Sequence, residues 1–115
     1  MHELGIANSV LEAAEAAVAC HPGAVPLKVA VRVGEMAGID PGALAFSFEA
    51  LTAGTPWQNV KLEIENRPRE HRCKGCGATF RVVDYNFICP ACGGSRNECV
   101  SGDELELLYL EMEEP

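Results

Sequence analysis

At 115 residues, 48% hydrophobic and 23% charged, the chain suits one compact domain with a small appended module, and it is too short for a TIM barrel or a full dinucleotide-binding enzyme. That hydrophobic fraction excludes wholesale disorder, and no run of about 20 apolar residues offers a membrane span. The net charge of −8 argues against non-specific nucleic-acid binding, yet it is unevenly spread: Arg67 to Arg96 holds six basic and two acidic residues, the remainder three basic and fifteen acidic.

From Glu3 to Ala19 the apolar residues Leu4, Ala7, Val10, Leu11, Ala14, Ala17 and Val18 recur at three- and four-residue steps, with Glu12 and Glu15 between them. This pattern predicts an amphipathic helix, stopped by His21-Pro22-Gly23. The opening MHELGIANSV is acidic where a secretory signal is basic, so the expected location is the cytoplasm. Leu27, Val29, Val31 and Val33 then alternate with Lys28, Ala30 and Arg32, as in a half-buried strand. Asp40-Pro41 is an N-cap followed by a favoured first-turn proline, opening a second helix with Leu44, Phe48 and Leu51 that stops near Gly54. Val60, Leu62 and Ile64 alternate against Lys61, Glu63 and Glu65 in a second strand. The strand–helix–strand order implies parallel pairing.

Next comes Cys73-x-x-Cys76, twelve residues, then Cys89-x-x-Cys92. Doubled CxxC pairs without a secretory signal point to a metal site before a disulfide framework. A two-residue spacer lets both thiolates face one ion, and two such turns complete a tetrahedron. The glycines flanking Cys76 and following Cys92 let backbone amides bend toward the sulfurs. Four thiolates leave no open position, so the ion is structural. A tetrahedral S4 set suits iron as well, and zinc is preferred on abundance alone. Residues 79–83 and 86–88 are expected as the short strands of this ribbon. Glu104–Met112 forms a third scaffold strand, whose alternation slips at Leu107-Leu108 and so predicts a bulge. The expected fold is α+β: two helices packed on a three-stranded mixed sheet, with the zinc ribbon inserted before the third strand and jointed at Arg67-Pro68 and Ser101-Gly102.

The amino terminus offers different chemistry. The Met1 amine, the His2 backbone nitrogen and the His2 ring can form fused chelate rings around one ion, with Glu3 supplying a fourth donor. Such tetragonal N/O sets select Ni(II) or Cu(II) over zinc. A histidine this early is more often an exposed residue at a frayed end, and a helix starting near Leu4 turns its positive pole toward such an ion. Spacing alone leaves both readings open.

Taken together, Met1-His2-Glu3, the doubled CxxC and the closing run Ser101-Gly102-Asp103-Glu104-Leu105-Glu106-Leu107 resemble the HypA/HybF hydrogenase-maturation nickel metallochaperones, across the whole chain. The resemblance implies a nickel-binding α/β domain made of residues 1–66 and 103–115, with residues 67–102 as the zinc-binding ribbon. It implies His2 as the nickel ligand with the Met1 amine and Glu3 assisting, and Cys73, Cys76, Cys89 and Cys92 as structural zinc ligands. The implied job is delivery of Ni(II) to the [NiFe]-hydrogenase large subunit together with the GTPase HypB.

The alternative is a zinc-ribbon adaptor that binds nucleic acid or docks proteins without nickel transfer, motivated by the basic stretch. Against nucleic acid, the ribbon offers only Phe80, Tyr85 and Phe87 for base stacking, and the acidic scaffold repels phosphate. An enzyme is disfavoured because no nucleophile–base pair or open metal triad stands out among three histidines. His71 is expected at the surface beside the first knuckle, Cys20 as a packed small hydrophobe, and Cys99 as a spare thiol near the zinc. Asp40 is read as a cap whose carboxylate could approach the amino terminus, and Trp57 and Tyr109 as packing residues.

Overall fold

In the computed structural model, which describes residues 3–115, the chain opens with helix α1 (Glu3–Ala19). It buries Ile6, Ala7 and Ala14, and the Cys20 and His21 amides close its last turn on Ala17 and Val18 before Gly23 turns the chain. Strand β1 (Val25–Gly34) follows, then a single 3-10 turn over Glu35–Ala37. Helix α2 (Pro41–Thr52) is capped by Asp40, whose Oδ1 accepts from the amides of Gly42 at 2.9 Å and Ala43 at 3.4 Å. Strand β2 (Lys61–Arg67) completes the crossover. The short strands β3 (Glu70–Cys73), β4 (Thr79–Arg81) and β5 (Asn97–Ser101) precede the last strand, β6 (Leu105–Glu113).

Strand alternation decides the first sheet, ordered β2-β1-β6, with β1 and β2 parallel and β1 and β6 antiparallel. Val29, Val31 and Val33 face the helices with Leu62 and Ile64, while Lys28 and Arg32 stand on the outer face among Glu63, Glu65 and Glu106. Ala30 pairs with Tyr109 but Val31 pairs with Leu107, so Leu108 is the extra residue of a bulge, where the alternation slips. Leu44 and Phe48 of α2 close the core with Ile39, Trp57 and Val60, and fully burying such side chains contributes roughly 1.5–3 kcal/mol each.

The second sheet, ordered β4-β3-β5, is antiparallel throughout and encloses a separate small core of Cys73, Phe80, Val82 and Cys89. Here the expected ribbon strands need correction. Only residues 79–81 of the first form a strand, and residues 86–88 form none. Asp84 and Tyr85 both adopt positive φ (52° and 59°), which breaks any extended run, and the Ile88 amide is taken by the Asn86 side chain at 3.2 Å. The partners of β4 are instead β3 and, through it, β5.

The two sheets meet at a close backbone joint. The Gly34 amide donates to the Glu104 carbonyl at 2.7 Å, the Met36 amide to the Gly102 carbonyl at 2.6 Å, and Ser101 Oγ to the Pro68 carbonyl at 3.1 Å. The described residues form an elongated body of 56 × 25 × 16 Å.

Candidate metal centre

The four expected zinc ligands converge. Cys73 ends β3, Cys76 follows in the turn that returns the chain to β4, and Cys89 and Cys92 bracket the second knuckle. Each knuckle closes on its own backbone: the Gly77 amide donates to the Cys73 carbonyl at 2.9 Å, and the Gly93 amide to the Cys89 carbonyl at 2.8 Å, with both glycines at positive φ. All four sulfurs lie within 4.8 Å of one another, with Cys73–Cys92 and Cys76–Cys89 each at 3.6 Å. A tetrahedron with about 2.3 Å bonds has an edge of about 3.8 Å, so the set has the dimensions of a zinc tetrathiolate.

Charge is prepared for a cation too. Amides of Cys76 and Gly75 hold the Cys73 thiol down to about 6, and those of Cys92 and Ala91 lower Cys89. Cys92 goes the other way: the Gly94 amide favours its thiolate, but three neighbouring sulfurs outweigh it and push it up to about 11. Without a cation four thiolates cannot coexist; with one they can. Cys73 and Cys89 are buried and Cys76 and Cys92 exposed, and this set fits a structural zinc ion whose chemical contribution is folding energy.

Sequence reasoning missed what buttresses the first knuckle. His71 is not at the surface but 6% exposed, because β3 points it inward between Phe80 and Phe87. The Arg69 guanidinium donates to its Nε2 at 3.1 Å, which places the ring proton on Nδ1, 2.6 Å from Asn97 Oδ1. Asn97 Nδ2 in turn donates to the Phe87 carbonyl at 2.7 Å, and Arg69 stacks over the Phe87 ring at 4.9 Å. No periodicity or spacing signals this network, since its members come from four separate segments. It also consumes two of the three ribbon aromatics, leaving only Tyr85 fully exposed for stacking.

Other expectations fare variously. Cys20 is exposed, not packed, because it follows the last helical turn, where its thiol reaches only the Ala16 carbonyl. Cys99 lies on β5 outside the sulfur cluster, 3.5 Å from Met36 Sδ. Trp57 is buried in the scaffold core, and Tyr109 lies on the outer sheet face with its hydroxyl 3.0 Å from Glu63. The Asp40 carboxylate is engaged in capping α2. Met1 and His2, the centre of the expected nickel site, lie outside the described residues. Glu3 forms the acidic first turn of α1, where a carboxylate offsets the helix's positive pole. Among the described residues no helix is long and apolar enough to cross a membrane.

A family model described as hydrogenase/urease nickel incorporation metallochaperone, HypA, matches residues 1–112. The chain belongs to the HypA family. Among the relatives of this HypA chain, the hydrogenase maturation factor HypA of Geobacter metallireducens is 39% identical over 113 residues, covering 98% of this chain and 100% of the relative. That of Roseiflexus sp. is 38% identical over 115 residues, covering 99% and 94%. The solution structure of the Ni metallochaperone HypA from Helicobacter pylori superposes with a TM-score of 0.64 at 26% identity, covering all of both chains. HypA membership supports nickel carriage for hydrogenase maturation over the adaptor alternative.

Proposed function

We propose that this HypA chain takes up Ni(II) at its amino terminus, with His2 as the ring-nitrogen ligand and the Met1 amine and Glu3 assisting, and yields it to the [NiFe]-hydrogenase large subunit in the cytoplasm, alongside the GTPase HypB. Residues 1–66 and 103–115 act as the nickel-binding domain and residues 67–102 as the zinc ribbon. The chain carries a metal and catalyses no reaction of its own. One observation carries this reading: the nickel-incorporation family model extends over Met1-His2-Glu3 as well as both CxxC pairs. Chemistry supports it, because nitrogen donors at a terminus select nickel where a closed tetrathiolate selects zinc.

The test is nickel titration of the untagged, zinc-loaded chain by calorimetry. His2→Ala is expected to abolish specific Ni(II) binding and leave zinc content and circular dichroism unchanged. A residue added before Met1 is expected to weaken binding sharply by displacing the terminal amine. Native nickel affinity in the His2→Ala chain would sink the site; native affinity in the extended chain would remove the amine from it.

A further inference from the structure

The ribbon sheet has two faces, and the small core occupies one of them. His71, Cys73 and Phe80 are buried there, and the Asn97 side chain reaches in to His71. Alternation along the strands turns their neighbours the other way. Arg72 and Lys74 are exposed where His71 and Cys73 are buried, and Arg96 and Glu98 are exposed on either side of Asn97. Register joins these residues: Arg72 pairs across the sheet with Glu98 and Thr79, and the Lys74 amide donates to the Arg96 carbonyl at 2.9 Å. Nearer the joint, Glu70 and Arg81 are already engaged, by Ser101 Oγ at 3.2 Å and by Glu35 at 3.6 Å. The outer face thus sets Arg72, Lys74 and Arg96 against one carboxylate, that of Glu98.

These three cations stand without carboxylate partners in a chain of seventeen acidic and nine basic residues. Lys28, Arg32, Arg67 and Arg81 each have a carboxylate within 3.9 Å, and Arg69 stacks on Phe87. Among the described residues no carboxylate comes that close to Arg72, Lys74 or Arg96, and neither Met1 nor His2 has one to offer. Nor do the three bond to the thiolates. Cys73 and Cys92 take amides instead, from Gly75 at 3.3 Å and Gly94 at 3.4 Å.

We infer that this outer ribbon face is a docking site for an acidic segment of a partner protein, bound in extended form. Arg72 and Lys74 are two residues apart, about 7 Å along the chain, and Arg96 lies beside Lys74 at the neighbouring strand spacing of about 5 Å. Carboxylates at alternate positions of an extended segment repeat at the same interval of about 7 Å, so two of them meet the cations in step. A second copy of the chain is a poor occupant, because the alternating carboxylates of its β2 and β6 are committed. Glu63 and Glu111 pair with Lys28, and Glu65 and Glu106 with Arg32. Nucleic acid is poorer too: a long polyanion runs on toward an acidic scaffold, and Phe80 and Phe87 are turned to the core. The inference stands on where the ribbon's charges are placed, independently of where nickel binds.

The experiment uses the full zinc-loaded chain without nickel and two synthetic peptides of about eight residues. One alternates glutamate with threonine; its twin has glutamine for every glutamate. The glutamate peptide is expected to bind, to shift the amides of Arg72, Lys74, Thr79 and Arg96 in NMR spectra, and to weaken with added salt, while the twin leaves them unmoved. Lys74→Gln and Arg96→Gln are each expected to weaken binding about threefold, with zinc content and ribbon amide dispersion unchanged. Glu98→Gln removes the opposing carboxylate and is expected to tighten binding. Lys61→Gln takes the same charge from an exposed site on β2 and is expected to leave binding unchanged, which separates placement from net charge. No binding, equal binding of the twin, or equal weakening by Lys61→Gln and Lys74→Gln would overturn the inference. Zinc loss in the ribbon variants would assign the cations to the thiolates and overturn it as well, and so would tighter binding of an oligouridylate of equal charge.

Discussion

Gly34 and Gly102 meet backbone against backbone: a β-carbon on Gly34 would overlap the Gly102 carbonyl group. Gly34 has an ordinary extended conformation (φ −80°, ψ 148°), so the demand for glycine there is purely one of space. Gly102 answers with φ +107°, and its own β-carbon would crowd the Arg69 backbone at 2.6 Å. This contact seats the 3-10 turn against the ribbon's return, within the joint that connects the two sheets.

Gly34→Ala is therefore expected to destabilise the chain by about 1–3 kcal/mol through overpacking, with no strain of its own backbone to add. Thermal unfolding reads the loss. Hydrogen exchange locates it, with faster exchange at Met36, whose amide bonds to the Gly102 carbonyl. Unaltered exchange at Met36 would mean that the two backbones do not meet this closely in solution.

Removal of one zinc ligand separates the two cores. The ribbon core amounts to Cys73, Phe80, Val82 and Cys89 with Ala78 and Phe87 against it, too little apolar surface to hold three short strands. Structural zinc supplies about 10–16 kcal/mol in comparable small modules. Cys89→Ser is expected to collapse the amide dispersion of residues 70–101 and to lose the zinc, while amides of α1, α2, β1 and β2 keep their native shifts. A ribbon that stays dispersed without metal would show that the His71 network suffices alone.

These two cores were not equally legible from the amino acids. In the scaffold each element carries its own signal: the alanine-rich 3.6-residue period of α1, the valine alternation of β1, the Asp40-Pro41 start of α2, and the slip at Leu107-Leu108 that becomes the bulge. The sulfur cluster was legible because ligand spacing encodes its turn geometry. The strands beside it were not. β3 and β5 read Glu-His-Arg-Cys and Asn-Glu-Cys-Val-Ser, with no apolar alternation, since the metal and the Arg69–His71–Asn97 bonds hold them in place of a hydrophobic face. Phe87-Ile88 imitates a strand but follows two residues in the left-handed region. The leucines of β6 were legible as strand residues, whereas their exposure depends on how α1 lies across the sheet, which periodicity does not encode.

Asp40 gives a local test of what that carboxylate does. Its Oδ1 satisfies the Gly42 and Ala43 amides at the start of α2, so Asp40→Ala is expected to cost about 1 kcal/mol, and Asp40→Asn much less because asparagine caps nearly as well. Nickel affinity should be unchanged in both. A drop in nickel affinity at unaltered thermal stability would instead give the carboxylate a part in metal binding.

Glu104 makes the joint sensitive to acid. Its own amide and that of Gly102 hold its carboxyl below the ordinary 4.5, with Arg67 3.8 Å away adding a smaller pull. A carboxylate with a lowered pKa stabilises the fold while ionised, and protonation in the unfolded chain at its ordinary pKa begins to remove that advantage. The contribution of Glu104 is thus fully present well above pH 4.5, declines as pH falls through that value, and is gone below the lowered folded-state value. Chemical unfolding of the native chain and of Glu104→Gln, measured from pH 7 down to pH 3, should show the native chain more stable at the neutral end and the two curves converging at the acid end. A stability difference that stayed constant across this range would assign the effect to the shape of the Gly102 turn, independent of the charge on the carboxylate.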